Sequence, residues 1–422
     1  MRNENSQLFE VGDILELDVA EAVHGGWCIA RPGAAEAGQH GRQPVVFVRH
    51  ALPGELIKAV VTQTTAKFAR AEATEIIRAA PERVSAPCPY AQPGGCGGCD
   101  WQHASLPAQR AIKAQVIAQQ LKRIAGLERT VTVAALPGDT AGLGWRSRVR
   151  FAVGSDGRAG LHRHRSHDIT PISDCLIAHP LVTEVGVTRS SWPGVRWVEV
   201  AASPGTGDRA LLTRGAAGDK AAPGSPRFLT YRAAGRDWRV SAAGFWQVHP
   251  GAADVLAEAV MAALAPRPGQ TALDLYCGAG LFAGVLAEAV GPDGAVIGVE
   301  QDEVAAADAR HNLRKTPWAQ VHRGDASRVL ARLGLGDATI AVLDPPRTGA
   351  ARGLIDVLCS GGLSRVAYVS CDPATLARDI AVFGGHGWQL ENLSGFDAFP
   401  MTHHVECLAV LVPPGRLGQS PV

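Results

Sequence analysis

No charge of one sign dominates this chain. Lys+Arg 41 against Asp+Glu 40 leaves a formal net charge of +1, and charged residues make up 19% of 422, below the roughly 25% of an ordinary globular protein. Bulk charge therefore announces no polyanion partner, and any nucleic-acid contact has to come from a local patch. No run of about 18 or more apolar residues occurs, and the opening MRNENSQLFEVGD lacks the basic-then-apolar pattern of a secretory leader. The chain accordingly reads as cytoplasmic, with no membrane partner. Cysteine is scarce: nine residues, unevenly spread, do not make a disulfide scaffold in a reducing compartment, so a cluster of them points to metal binding or catalysis. Glycine (48) and proline (27) are abundant, but a 46% hydrophobic content excludes disorder and collagen. At about 150 residues per domain, the length calls for two to four domains.

Residues 8–79 read as short alternating strands, including ILELDV (14–19), PVVFV (44–48) and ELIKAVVTQ (55–63), separated by Gly/Pro turns. They predict a small β-barrel. A central α+β region, 81–245, opens with a cysteine cluster, continues in a helix from about Leu106 to Ile124, and carries strands near 146–153, 168–172 and 195–201. Residues 203–227 are Gly/Ala/Pro/Ser-rich without periodicity and read as an exposed hairpin tip or insertion. From about 246 to 412 strand and helix alternate: a helix over 252–264, then TALDLYC (271–277), AVIGVE (295–300), TIAVLD (339–344), RVAYVS (365–370) and HVECLAVLV (404–412). Short, almost wholly apolar strands between helices predict a Rossmann-like parallel sheet covered on both faces. Residues 413–422 form a tail expected to be flexible. Ligands in such sheets bind at the carboxyl ends of the strands.

Four strand ends carry chemistry. Tyr276-Cys277-Gly278-Ala279-Gly280 turns from a strand into a helix at Leu281, and Glu300 ends the next strand, where a carboxylate can hold ribose hydroxyls. This is a nucleoside signal that fits S-adenosylmethionine, a nicotinamide or flavin, or a purely structural turn. Asp344-Pro345-Pro346-Arg347 holds a carboxylate at the crevice on a stiff loop. Ser370-Cys371-Asp372-Pro373 presents a thiol at the edge of a central strand beside a helix start, a nucleophile position, although a buried free cysteine is the commoner fate of such a residue.

LDLYCGAGLFA, GVEQD, DPPRTGA, YVSCDPATLARD and FPMTHHVE, in that order, resemble the bacterial RNA uracil-5 (5-methyluridine) methyltransferase family, over residues 8 to 412. The resemblance implies a class I S-adenosylmethionine-dependent fold, an RNA substrate (rRNA or tRNA) and a TRAM-like, OB-like RNA-binding barrel at the N-terminus. It implies Cys371 as nucleophile, Glu406 as general base, and Gln247, Tyr276, Glu300, Asp344 and Asp325 at the cofactor, with Leu281 where relatives carry a polar residue. The chemistry agrees: uracil C5 is a poor nucleophile until a thiolate adds at C6, and C5 must later lose its proton to a base. His403 and His404, flanking that Glu, would shape the site or bind phosphate. Phe245 or Trp246 could stack on an extruded base, or belong to the core.

Cys88, Cys96 and Cys99 lie in CPYAQPGGCGGCDWQH, three thiols in a glycine-rich turn that suit zinc or a cluster and need a fourth ligand. The family resemblance implies Cys175 as that ligand and a [4Fe-4S] cluster ahead of zinc. Here Cys88 and Cys96 are two residues further apart than relatives place them. Cys28, Cys277, Cys359 and Cys407 are read as packing residues. Between Arg146 and Arg165, six Arg and two His face one Asp, and Arg146, Arg148 and Arg150 on one strand face would meet phosphates. Acid at Asp293, Asp302, Glu303 and Asp308 would balance them. No obligate protein partner is evident, and a single chain is expected to work alone. Two other readings are a radical S-adenosylmethionine methylthiotransferase, which expects a Cys-x3-Cys-x2-Cys motif absent here, and a non-catalytic RNA-binding protein with a decayed methyltransferase domain. A C5 cytosine enzyme is chemically possible, but its active-site context differs from SCDPATLARD.

Overall fold

A computed structural model describes residues 9–32, 45–139, 141–215, 218–222 and 224–418. The end of the expected tail, from 419, lies outside the described residues. Alternation is strongest at the N-terminus, where β1 (Ile14–Val23) points Leu15, Leu17 and Val19 inward and its polar neighbours outward. With β2 (Trp27–Pro32), β3 (Val45–Arg49), β4 (Leu56–Thr64) and β5 (Phe68–Arg78) it closes into a barrel in the order β1-β2-β3-β5-β4. Closure leaves no free sheet edge.

After α1 (Leu106–Gln120) and β6 (Val133–Ala135) come β7 (Arg148–Val153), β8 (Ala159–His162), β9 (Ile169–Pro171), the single-turn α2 (Pro180–Thr183), β10 (Val195–Ala202), β11 (Arg209–Gly215) and β12 (Gly218–Ala221). These strands, β6 excepted, form an antiparallel sheet ordered β12-β11-β10-β7-β8-β9, and β13 (Phe228–Ala233) and β14 (Arg236–Ser241) make a separate two-stranded ribbon. The stretch 203–227 is therefore more regular than its composition suggests. Ala210 and Leu212 of β11 turn inward against β10, and pairing to that strand supplies the order that local sequence does not.

The C-terminal region alternates as its apolar runs predict: α3 (Ala252–Leu264), β15 (Thr271–Leu275), α4 (Leu281–Val290), β16 (Ala295–Glu300), α5 (Glu303–Asn312), β17 (Ala319–Arg323), α6 (Ala326–Leu333), β18 (Ala338–Leu343), α7 (Arg352–Ser360), β19 (Arg365–Ser370), α8 (Pro373–Gly385), β20 (Gln389–Asp397) and β21 (Glu406–Val412). The sheet runs β17-β16-β15-β18-β19-β21-β20-β6, parallel except for β21. All six residues of β19 are buried, as a central strand covered on both faces requires. Strand order reverses between β15 and β18, which opens the crevice where ligands bind. The polar, half-exposed AQVHR of β17 hides its strand character, because it is an edge. No helix among the described residues is long and apolar enough to cross a membrane.

Sequence position does not separate the cores. Ile117, at the end of α1, packs in the same core as Leu273 and Tyr368, while Ile112 and Val116 pack with the barrel. The helix is pinned by Lys113, whose Nζ donates to Asp397 Oδ1 at 2.6 Å and to the Phe399 carbonyl at 3.0 Å with both side chains buried. Removing one partner of a buried pair strands the other charge at a cost of about 3–5 kcal/mol. Lys113→Met is thus expected to lower stability by about that amount, read as an earlier urea midpoint by circular dichroism; an unchanged midpoint would refute it.

Candidate active site

The expected nucleophile and base are brought near one another by the sheet. β19 and β21 run antiparallel with Ser370 opposite Cys407, and Cys371 and Glu406 are the residues next to that pair, close enough for the Glu406 charge to raise the thiol. Asp372 then caps α8, accepting from Thr375 N at 2.8 Å, which fixes the backbone just after the thiol.

Electrostatics at this point run against a resting thiolate. Burial pushes the Cys371 thiol up to about 11, with Glu406 and Asp344 adding to the shift and Arg347 opposing it. Burial likewise holds Glu406 well above the ordinary carboxylate range, with Asp344 raising it further and Arg347 lowering it; Asp344 is raised by its enclosure and by Glu300. Arg347 opposes the shift at both Cys371 and Glu406, so it is the group that favours the reactive anions. It sits 3.4 Å from His404 Nε2. Burial, then His403, then Arg347 push His404 down to about 3, so its neutral ring can accept from Arg347. Alkylation of Cys371 by iodoacetamide is expected to climb close to tenfold per unit from about pH 7 to 9, as for any thiol titrating well above that range. A rate already flat at pH 8 would contradict it.

The loop carrying Glu406 is braced from elsewhere. Asp100, the residue after Cys99, accepts from His403 N (3.0 Å) and pairs with His403 Nδ1 (2.7 Å), while Arg49 of the barrel lies 3.4 Å from its other oxygen. The Asp100 and Trp101 amides both donate to the Met401 carbonyl. His24, in the barrel's β1–β2 turn, places Nε2 3.2 Å from Asp372 Oδ2. Sequence reading missed Asp100, His24 and the role of Arg347; only the last had a signal, as the cation ending DPPR. The two histidines shape the site through these contacts.

Several of the expected cofactor residues meet at the crevice. Tyr276, Gly278 and Gly280 all have positive φ (66°, 53° and 94°), and a side chain at Gly278 would project into open space, as a ligand-facing turn requires. Glu300 ends β16 with Oε2 accepting from Gly278 N at 2.9 Å. Asp274, buried below the turn, takes the Ala283 amide at 2.6 Å and leaves Oδ1 without a partner among the described residues; burial pushes it up to about 8. Asp325 caps α6 and, with Gln301 and Arg328, lines a cavity of about 750 Å3 beside Glu300. Leu281 is buried as the first residue of α4.

Phe245 and Trp246 part company. Trp246 is buried, stacked on Tyr231 at 5.1 Å, whereas Phe245 is 66% exposed next to Gln247. Base–aromatic stacking is worth about 1–3 kcal/mol, so Phe245→Ala should raise the RNA KM by roughly 5- to 150-fold and leave cofactor affinity unchanged; an unaltered KM would return Phe245 to a surface accident. The expected phosphate-facing row is partly drawn into the fold. Glu199, opposite Arg150 on β10, takes Arg148 at 2.7 Å and Arg150 at 2.8 Å. Arg148 also donates to the Ala242 and Gly244 carbonyls, shaping the loop before Phe245. Asp308, read as balancing surface acid, is buried and accepts from Ser241 N.

The cysteine loop folds back on itself. Cys96 bridges to Arg163, and Gly97 packs so tightly that a Cβ would lie 2.4 Å from His164 N. Cys88, Cys96, Cys99 and Cys175 are all half-buried free thiols. Burial raises Cys96, with Cys88 adding to the shift, and raises Cys99, with Cys175 and Cys96 adding to it, so the four lie within electrostatic reach of one another. Among the described residues no three His, Cys, Asp or Glu side chains converge on a single metal-ion position.

Glycine turn, acidic strand end, the reversed strand β21 and the neighbouring Cys371 and Glu406 define a class I methyltransferase. The family model for tRNA (Uracil-5-)-methyltransferase matches residues 330–413, and that for protein-L-isoaspartate(D-aspartate) O-methyltransferase matches 251–336. The chain is 45% identical to an uncharacterized RNA methyltransferase of Streptomyces avermitilis across 96% of this chain and all of that one. It is 34% identical to the 23S rRNA (uracil(1939)-C(5))-methyltransferase RlmD of Pseudomonas putida, covering 86% of this chain and 88% of the relative. The chain belongs to the RNA uracil-5 methyltransferase family. Its fold matches the Pyrococcus abyssi tRNA (uracil-54, C5)-methyltransferase in complex with S-adenosyl-L-homocysteine, with TM-score 0.69 and 21% identity over 94% of this chain and 99% of that one.

Proposed function

We propose that this protein transfers a methyl group from S-adenosylmethionine to C5 of a uridine in rRNA or tRNA, through a covalent bond between Cys371 and C6 of the base. The observation that carries the reading is the β19–β21 register, Ser370 opposite Cys407, which leaves Cys371 and Glu406 adjacent and within electrostatic reach. When bound, S-adenosylmethionine supplies an electrophilic methyl group; Gln247, Tyr276, Gly278, Gly280, Glu300, Asp325 and Asp344 would hold it. Cys371 adds as thiolate to C6, which moves the ring's electron pair to C5 as an enolate. C5 would take the methyl group as its bond to the sulfonium sulfur breaks, leaving S-adenosylhomocysteine; Glu406 would then remove the C5 proton, and the C6–S bond would break to restore ring and thiolate. A base held above its ordinary pKa by burial is a stronger proton acceptor once ionised.

Residues 8–79 would act as a TRAM-like RNA-binding barrel, 81–245 as the central domain and 246–412 as the methyltransferase domain. Cys88, Cys96, Cys99 and Cys175 would hold a [4Fe-4S] cluster in a structural role, since methyl transfer moves no electrons. The glycine-cradled loop and four mutually coupled thiols suit a ligand set spread over a cubane's corners. About four irons and four sulfides per chain after anaerobic purification would support the cluster; stoichiometric zinc without iron would overturn it. The function itself is tested by incubating the protein with labelled S-adenosylmethionine and unmodified rRNA and tRNA, then mapping 5-methyluridine. Label without 5-methyluridine would overturn the proposal.

A further inference from the structure

Glu199 holds both Arg148 and Arg150 of β7 with its one carboxylate, so RNA phosphates would draw on further partners. The seam between the barrel and the β8–β9 turn offers them. Trp27, first residue of β2 and 6% exposed, carries two guanidinium groups over its ring: Arg70 of β5 at 5.4 Å and Arg165 of the β8–β9 turn at 5.8 Å. His164 meets the same ring edge-on at 5.4 Å.

Two features set this pair apart from an ordinary surface arginine. First, neither guanidinium has a carboxylate partner among the described residues. Arg70 donates to Gln63 Oε1 at 2.6 Å, and Glu72, two residues along the strand, is engaged by Arg49 and the Gly94 amide. Burial and the like charge of Arg165 both work against the Arg70 cation. Second, Arg165 is held at φ 50°, a left-handed conformation that glycine or asparagine adopts more readily. Two like charges gathered on one buried indole, one of them on an unfavourable backbone, make a site that lacks an anion.

Location says which anion. The turn leading into Trp27 contains His24, 3.2 Å from Asp372, the residue after Cys371, so the ring is tied through three residues to the candidate catalytic loop. An indole already covered by guanidinium groups does not stack on a base, which leaves the backbone as the feature recognised. We propose that Trp27, Arg70 and Arg165 form a phosphate-binding site for the single-stranded RNA that delivers the target uridine, an assignment that rests on the function proposed above.

The test measures binding of a fluorescein-labelled oligouridylate to the full chain as KCl is raised. Each phosphate contact on single-stranded nucleic acid contributes about 0.7 to the slope of log K against log salt. Arg70→Gln and Arg165→Gln should each reduce that slope by about 0.7, and the double variant by about 1.4. Arg70→Lys and Arg165→Lys should keep it, because a lysine retains the charge. S-adenosylhomocysteine affinity, by calorimetry, should be the same in every variant. An unchanged slope in the double variant overturns the site, as does a parallel loss of S-adenosylhomocysteine binding, which would assign the effect to disturbed packing. A parent protein that binds oligouridylate with these slopes yet forms no 5-methyluridine would refute the methylation reading and leave the phosphate site standing.

Discussion

Cys371→Ala is expected to reduce methyl transfer by roughly 10^4-fold or more, the scale seen when a covalent nucleophile is removed, while S-adenosylhomocysteine still binds. The expectation follows from the separation of the two functions in the fold. Cys371 stands after β19, whereas the glycine turn and Glu300 stand after β15 and β16. The side chain is half-buried, with the Arg347 guanidinium bonded to its sulfur, so truncation removes a sulfur and little packing. Rapid-quench assays with labelled cofactor, alongside calorimetry with S-adenosylhomocysteine, separate the outcomes. Turnover within tenfold of the parent would end the covalent reading. Loss of cofactor binding would mean that the substitution had acted through the fold.

Glu406→Gln should leave a different trace. If the carboxylate takes the C5 proton, its amide counterpart allows addition and methyl transfer but not release, and a protein–RNA adduct accumulates. Turnover is expected to fall about 10^2- to 10^4-fold, the usual contribution of a general base, while a band resistant to denaturing gels appears on incubation with unmodified RNA. The substitution is nearly isosteric at a site where the acid is already held above its ordinary pKa by burial, so the fold should tolerate it. Slow turnover without an adduct would place Glu406 before the covalent step, as an orienting group.

Much of the site is legible because a parallel sheet puts its polar residues at strand ends. Runs such as TALDL and RVAYV are buried on both faces, so Glu300, Asp344 and Cys371 stand out where each run stops. Pairings set by register are not legible this way. Glu199 is one acid in VRWVEVAA, and nothing near it announces that it faces Arg150 across a ladder. The bonds from Asp100 to His403 and from His24 to Asp372 join residues that no local periodicity can relate. Composition hid β11 and β12 for a similar reason: their order comes from β10. Trp246 and Phe245, adjacent and alike in chemistry, were separable only by the stacking of one on Tyr231.

The contact between His24 and Asp372 bears on how such enzymes could be re-engineered. A barrel that only tethered substrate could be exchanged for another reader to redirect the enzyme to a new RNA. Here the barrel's first turn touches the cap of the helix behind the nucleophile, and Gly26 in that turn packs so closely on Asp100 that a Cβ would lie 2.7 Å from its carboxylate oxygen. A grafted module would have to reproduce that turn as well as bind the new RNA. If the barrel reads RNA as proposed, target choice and chemical competence are inherited together in this architecture.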